Sequence, residues 1–293
     1  MAQTQSIYNN PLSGNLGNQT YKNYGGKQVV TTRFRTTSAK GDGASRAQRD
    51  TRMLMPNLTL IGSQITEWLP AFWENNKFFK RPYTHFISHN MKRDLLVLPK
   101  ELIDSKQCIW SELQISCGTL PIIQCKQTLD GGWYTSIALQ SSTNVESMSI
   151  SDFSRIVIEK NPDFRDGDFI VIVKVEYEEA SSGAPYTAWT STPQICAIQL
   201  NTKGTGTVAV NKKGANIQLS VNTPSSGSYR LGAYRSWDHS YACVHVRKER
   251  GAYLASSQTM SWNFYGIDDM EDMRKQDYLD YCAASWGYKD KIL

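Results

Sequence analysis

The sequence predicts a mainly β protein: an immunoglobulin-like β-sandwich, one large or two small, with an N-terminal arm plus helices before it and a C-terminal helix after it. Three observations carry this. Trp133, Thr135, Ile137 and Leu139 alternate with Tyr134, Ser136, Ala138 and Gln140, and Ile217, Leu219 and Val221 alternate with Gln218, Ser220 and Asn222, the period of a sheet wet on one face. Roughly ten short strand candidates follow one another between turn residues, the spacing of a sandwich. Hydrophobic residues at 40% with only 20% charged leave a large remainder of Ser, Thr, Asn, Gln and Gly, which favours sheet and turn over a helical bundle. At 293 residues the chain can bury a core without disulfide staples.

Taken in order, residues 1–42 form an arm rich in Asn, Gly, Gln and Thr, and Gly25-Gly26 between two β-prone runs suggests a hairpin. Alone it buries too little to order itself, so a partner chain is expected to hold it. Residues 43–94 change to helical spacing: Leu54, Leu58, Ile61, Ile65 and Trp68 share a stripe, and Arg46, Arg49 and Arg52 form a second row. Pro56 predicts a kink or break near Met55, and Pro82 opens a second helix carrying Tyr83, Phe86, Ile87 and His89. The dense aromatics from Trp68 to Phe79 suit a helix-to-sheet core.

Residues 95–265 hold the strands. Asp130-Gly131-Gly132 marks a hairpin turn before Trp133. Phe169-Ile170-Val171-Ile172-Val173 is apolar on both faces and reads as a central strand covered on both sides. Further strands are expected near 112–125, 153–158, 194–200, 206–210, 228–235, 241–247 and 252–264. Residues 266–293 predict an acidic helix from Asp268, where Glu271 completes a capping-box pattern.

The net charge of +5 is unevenly placed. Residues 1–53 carry +6, from Lys22, Lys27, Arg33, Arg35, Lys40, Arg46, Arg49 and Arg52 against Asp42 and Asp50, and the rest of the chain carries −1. The partner-binding candidates are therefore Lys27, Arg33, Arg35, Arg46, Arg49 and Arg52. In a head-to-tail ring of identical subunits, this arm would meet the acidic helix of the next subunit. Nucleic acid contact is a less favoured use, because Lys and Arg are sparser than in a dedicated binder.

No catalytic, cofactor or metal site is expected. The pattern lacks a phosphate-binding glycine loop, a Gly-x-Ser-x-Gly elbow and a dinucleotide fingerprint. His85 and His89 share a helix face without the adjacent Glu of a zinc protease. His245 lies two residues from Cys243 on a strand, about 7 Å apart at the backbone, too far for a natural dyad. Gly167 in Asp166-Gly167-Asp168 suits a turn better than a calcium loop. The six cysteines include no C-x-x-C pair and read as reduced core thiols. No run is long enough for a membrane span. The N-terminus shows neither the basic region nor the apolar stretch of a secretory signal, so export by that route is not expected.

Gly17-Asn18, Gly26-Lys27 with Val29-Val30, Arg33, and Ala47-Gln48-Arg49 leading into the Leu54–Trp68 helix together resemble an uncharacterised family of Bacteroidota proteins. That family also occurs in phages of those hosts, crAss-like phages among them. The later stretches Asp166-Gly167-Asp168 and Tyr253-Leu254-Ala255-Ser256-Ser257 are similar in layout. The resemblance implies a non-enzymatic virion structural protein, a ring or connector subunit of the neck or tail. It would be assembled in the host cytoplasm with other virion proteins as a homo-oligomer. The competing expectation is a carbohydrate- or receptor-binding sandwich, or a capsid decoration protein, with Trp133, Trp189, Trp237 and Tyr234 as platforms.

Overall fold

In the computed structural model, residues 14–16, 19–24, 27–32, 46–74, 81–91, 96–127, 132–140, 144–180, 188–225, 228–233, 239–260 and 272–288 are described. The chain is mainly β, with antiparallel sheets and several helices.

The N-terminal segment is not simply extended. Strands β1 (Gly14–Leu16), β2 (Gln19–Tyr24) and β3 (Lys27–Thr32) form an antiparallel meander in which Tyr24 faces Lys27. That register is the one a two-residue Gly-Gly loop sets, although the glycines themselves lie outside the described residues.

Helix α1 (Arg46–Gln64) runs through Pro56 without the expected break. A proline inside a helix costs about 3 kcal/mol. Burying Leu58, Ile61 and Ile65, each at most 1% exposed, contributes roughly 1.5–3 kcal/mol per side chain, which is the larger sum. Short α2 (Leu69–Phe72) follows, α3 (Pro82–Asn90) begins at Pro82 as expected, and the single turn α4 (Lys100–Asp104) comes after it. Two buried asparagines tie these helices down. Asn57 donates to the Leu96 and Ile109 carbonyls and accepts from Ile109 N–H, while Asn90 does the same for Gln114.

The body has two main sheets. In the first, β5 (Cys125–Gln127), β6 (Trp133–Leu139), β10 (Leu219–Ser225) and β11 (Ser228–Ala233) lie in the order β5-β6-β11-β10. The second comprises β7 (Phe169–Ala180), β8 (Ala188–Gln199), β9 (Lys212–Gly214), β12 (His239–Glu249) and β13 (Ala252–Ala255), ordered β13-β12-β7-β8-β9. A small pair joins β4 (Gln114–Ser116) to β14 (Gln258–Thr259).

Alternation along the five-stranded sheet divides the core in two. Ile170, Ile172, Cys196, Ile198, Tyr241 and Cys243 face the four-stranded sheet and pack with Trp133, Ile137, Leu219 and Leu231. Val171, Val173, Val175, Ala197, Val244 and Val246 face the opposite way, against α1, α2 and α3. The central strand β7 is thus covered on both sides, as its unbroken apolar run implies.

Two expected strands are helices. Residues 153–158 lie in α5 (Ile150–Lys160), where Ser149 accepts from Asp152 N–H as N-cap and Ile150, Phe153, Ser154 and Val157 form the buried stripe. The β-branched run Ile156-Val157-Ile158 mimicked a strand, but a cap followed by three- and four-residue spacing decides for helix. Residues 208–211 form the single turn α6 (Val208–Asn211).

The C-terminal helix among the described residues is α7 (Gln276–Ser285); the expected start at Asp268 with Glu271 lies outside the described residues. One face is buried through Tyr278, Cys282 and Ala283. Residues 96–98 pass through the core without a strand partner among the described residues, and side chains satisfy their carbonyls instead. Asn57 serves Leu96, the Tyr278 hydroxyl serves Val97 and Trp286 Nε1 serves Leu98. The acidic helix is therefore anchored to its own chain, with Asp277 left exposed.

Candidate interaction surfaces

Of the six cations expected to contact a partner, Lys27 is the first residue of β3 and Arg46 the first of α1. Arg33 and Arg35 lie outside the described residues. Arg52 is exposed on α1. Arg49 turns inward at 9% exposure, its guanidinium 5.7 Å from the centre of the Tyr288 ring. That contact ties α1 to the chain's own C-terminal segment, so Arg49 acts in packing.

The aromatic platforms are not displayed as expected. Trp133 is 3% exposed and stacks on Tyr241 at 4.7 Å between the two sheets. Trp189 is half-buried against the helical core. Trp237 and Tyr234 lie outside the described residues.

The largest buried polar constellation joins residues the sequence holds far apart. Asp168, 2% exposed, lies just before β7 and receives both Nε and Nη2 of Arg247 at 2.8 and 2.7 Å. His245 Nε2 stands 2.7 Å from Asp168 Oδ2, and Arg165 N–H donates to the same oxygen at 2.8 Å. Phe164 stacks over the His245 ring at 4.2 Å. Burial alone would raise the Asp168 carboxyl, but its hydrogen bonds to Arg247, His245 and Arg165 outweigh that and hold it at about 2. Asp168 and His245 are closed off from solvent, so the cluster pins the start of β7 to the end of β12 rather than receiving a substrate. A second pair, Lys212 with the half-buried Glu146, fastens β9 to residues 145–147, where Glu146 also accepts from Leu219 N–H.

The remaining chemical candidates resolve as packing. His85 and His89 share a face, both edge-on to Trp73 at 4.7 and 5.6 Å, and burial lowers the pKa of His85, with His89 adding to the effect. Among the described residues no group of three or more His, Cys, Asp or Glu is placed to hold a metal ion. Cys243 sits on the His245 side of β12, as alternation requires, but it is fully buried in the sandwich core and its thiol is pushed well above the ordinary value. All six cysteines are free thiols. Gly167, at φ +89°, makes the turn into β7, and Asp166 accepts from Thr202 N–H. No helix among the described residues is long and apolar enough to cross a membrane.

Sequence reasoning missed one surface. The four-stranded sheet turns its other face outward, and Lys126, Tyr134, Ser136 and Arg230 gather there around a cavity of about 250 Å³. The outward half of the alternation in β6 was the available signal.

No family model, no curated protein and no solved structure matches this chain.

Proposed function

We propose that this chain is a structural subunit of a phage particle, a ring or connector component of the neck or tail that joins its neighbours through its N-terminal segment. The observation that carries the reading is the β1-β2-β3 sheet. Among the described residues its strands pair only with one another, which leaves β1 and β3 as edges ready to accept a strand from a neighbour. Its strands carry Lys22 and Lys27 and no acidic residue, and residues 1–53 around them hold +6 against −1 for the rest of the chain. The phage setting, assembly in the host cytoplasm and the other virion proteins as partners rest on the family resemblance of the first ninety residues.

The body is proposed to be an immunoglobulin-like sandwich of the variable type. In support, β5-β6-β11-β10 and β13-β12-β7-β8-β9 reproduce, in chain order, the A-B-E-D and G-F-C-C′-C″ sheets of that fold. Trp133 stacked on Tyr241 links the strands corresponding to B and F, which a disulfide joins in antibody domains. Helices covering the outer face of the five-stranded sheet and α5 inserted between B and C are additions to that plan.

Deletion of residues 1–42 tests the assembly role. The core is built from residues 53–283, so the truncated chain is expected to fold yet fail to enter particles or rings. Normal incorporation of the truncated chain contradicts the proposal.

A further inference from the structure

The outward face of the four-stranded sheet carries a pocket built for a charged ligand, and we propose that it binds a carboxylated sugar unit. Lys126, Tyr134 and Gly232 are register partners across β5, β6 and β11. At Gly232 the Asn222 carboxamide takes the place of a side chain and donates to the Trp133 carbonyl oxygen; the cavity itself lies between Lys126, Tyr134, Ser136 and Arg230. That glycine is obligatory where the ladder shifts register: a Cβ there would stand 2.1 Å from the Trp133 carbonyl oxygen and 2.6 Å from Asn222 Nδ2.

Arg230 reaches across the same irregularity. Its Nη1 donates to the Ser136 carbonyl at 2.8 Å and its Nε to Ser228 Oγ at 3.2 Å, which orients the guanidinium over the pocket. Among the described residues no carboxylate pairs with Arg230 or Lys126, so two cations face one cavity uncompensated. Gln124, Ser136 and Ser228 add neutral polar groups to the wall.

Each part suits one part of the ligand. A guanidinium and an ammonium together select a carboxylate, the Tyr134 ring offers a flat surface to the apolar face of a pyranose, and amide and hydroxyl groups meet sugar hydroxyls. A bare oxyanion would leave the aromatic and neutral walls unused. The cavity, about 250 Å³, falls below the roughly 300–1,000 Å³ of drug-sized clefts, which limits the occupant to about one ring. This site does not depend on the assembly role, since its test reads ligand binding and no oligomeric state.

Titration of the full-length chain with D-glucuronate, D-glucose and inorganic phosphate, followed by calorimetry or NMR shifts, tests the proposal. Glucuronate is expected to saturate, with glucose and phosphate each at least tenfold weaker. Arg230→Met and Lys126→Ala should each weaken glucuronate at least tenfold. Lys126 is exposed, so Lys126→Ala should keep the parent melting temperature and report on binding alone. The proposal is overturned by absence of saturation with glucuronate, by phosphate binding as tightly, or by unchanged affinity in Lys126→Ala.

Discussion

Replacing Asp168 by Asn probes the account of the buried polar cluster most sharply. The carboxylate takes two hydrogen bonds from Arg247, one from Arg165 N–H, and stands against His245, all behind a surface that leaves it 2% exposed. Asparagine keeps the shape but removes the charge and turns one acceptor into a donor facing donors. Breaking a buried ion pair from one side costs about 3–5 kcal/mol, because the partner charge stays buried, and a loss in that range is expected at pH 7. The pH dependence supplies an independent check. A carboxyl held at about 2 in the folded chain against an ordinary 3.8 stabilises the fold by about 2 kcal/mol above that ordinary value. The contribution fades as pH falls from 3.8 through 2. Urea unfolding of the parent and Asp168→Asn chains at neutral pH and near pH 2 should therefore give a gap that narrows on acidification by about 2 kcal/mol. A neutral-pH loss under about 1 kcal/mol, or a gap independent of pH, refutes the reasoning.

Other perturbations follow from the same geometry. Asn57→Ala leaves the Leu96 and Ile109 carbonyls and the Ile109 N–H without their partner, and thermal or chemical melts should show a loss of about 3 kcal/mol. Arg250 sits at φ +50° in the two-residue turn between β12 and β13, beside Gly251 at φ +83°. Asparagine tolerates that conformation better, so Arg250→Asn should stabilise the chain by about 1 kcal/mol in the same assay. Burial pushes the Cys108, Cys125 and Cys282 thiols up to about 12. These three should resist iodoacetamide at pH 8 in the folded chain and react once it is denatured, as mass mapping of the peptides would show.

What the sequence disclosed follows physical locality. Period-two alternation exposed β6 and β10, the two-sided apolar run identified β7, and Pro82 marked the start of α3, because each signal is written within a few neighbouring residues. Pro56 and the Ile156-Val157-Ile158 run misled for the opposite reason. In both places burial against distant residues overrode local preference, with Leu58, Ile61 and Ile65 holding one helix and Phe153 and Val157 the other. The polar sites were the least legible, since Asp168 and Arg247 are 79 positions apart and Lys126, Tyr134 and Arg230 come from three strands. One clue was present: alternation puts His245 and Arg247 on the inward side of β12, and an inward arginine requires a buried acid. Trp133 shows the converse limit, because an aromatic on an alternating strand reads equally as core or platform until the facing sheet is known.

The mass of the native assembly, measured by sedimentation or mass photometry at micromolar concentration, bears most directly on the proposed role. A ring or connector subunit that joins neighbours through its β1-β2-β3 edges should appear as one closed multiple of 33.1 kDa and revert to monomer when residues 1–42 are removed. A full-length chain that stays at 33.1 kDa, or an oligomer unchanged by the truncation, contradicts it.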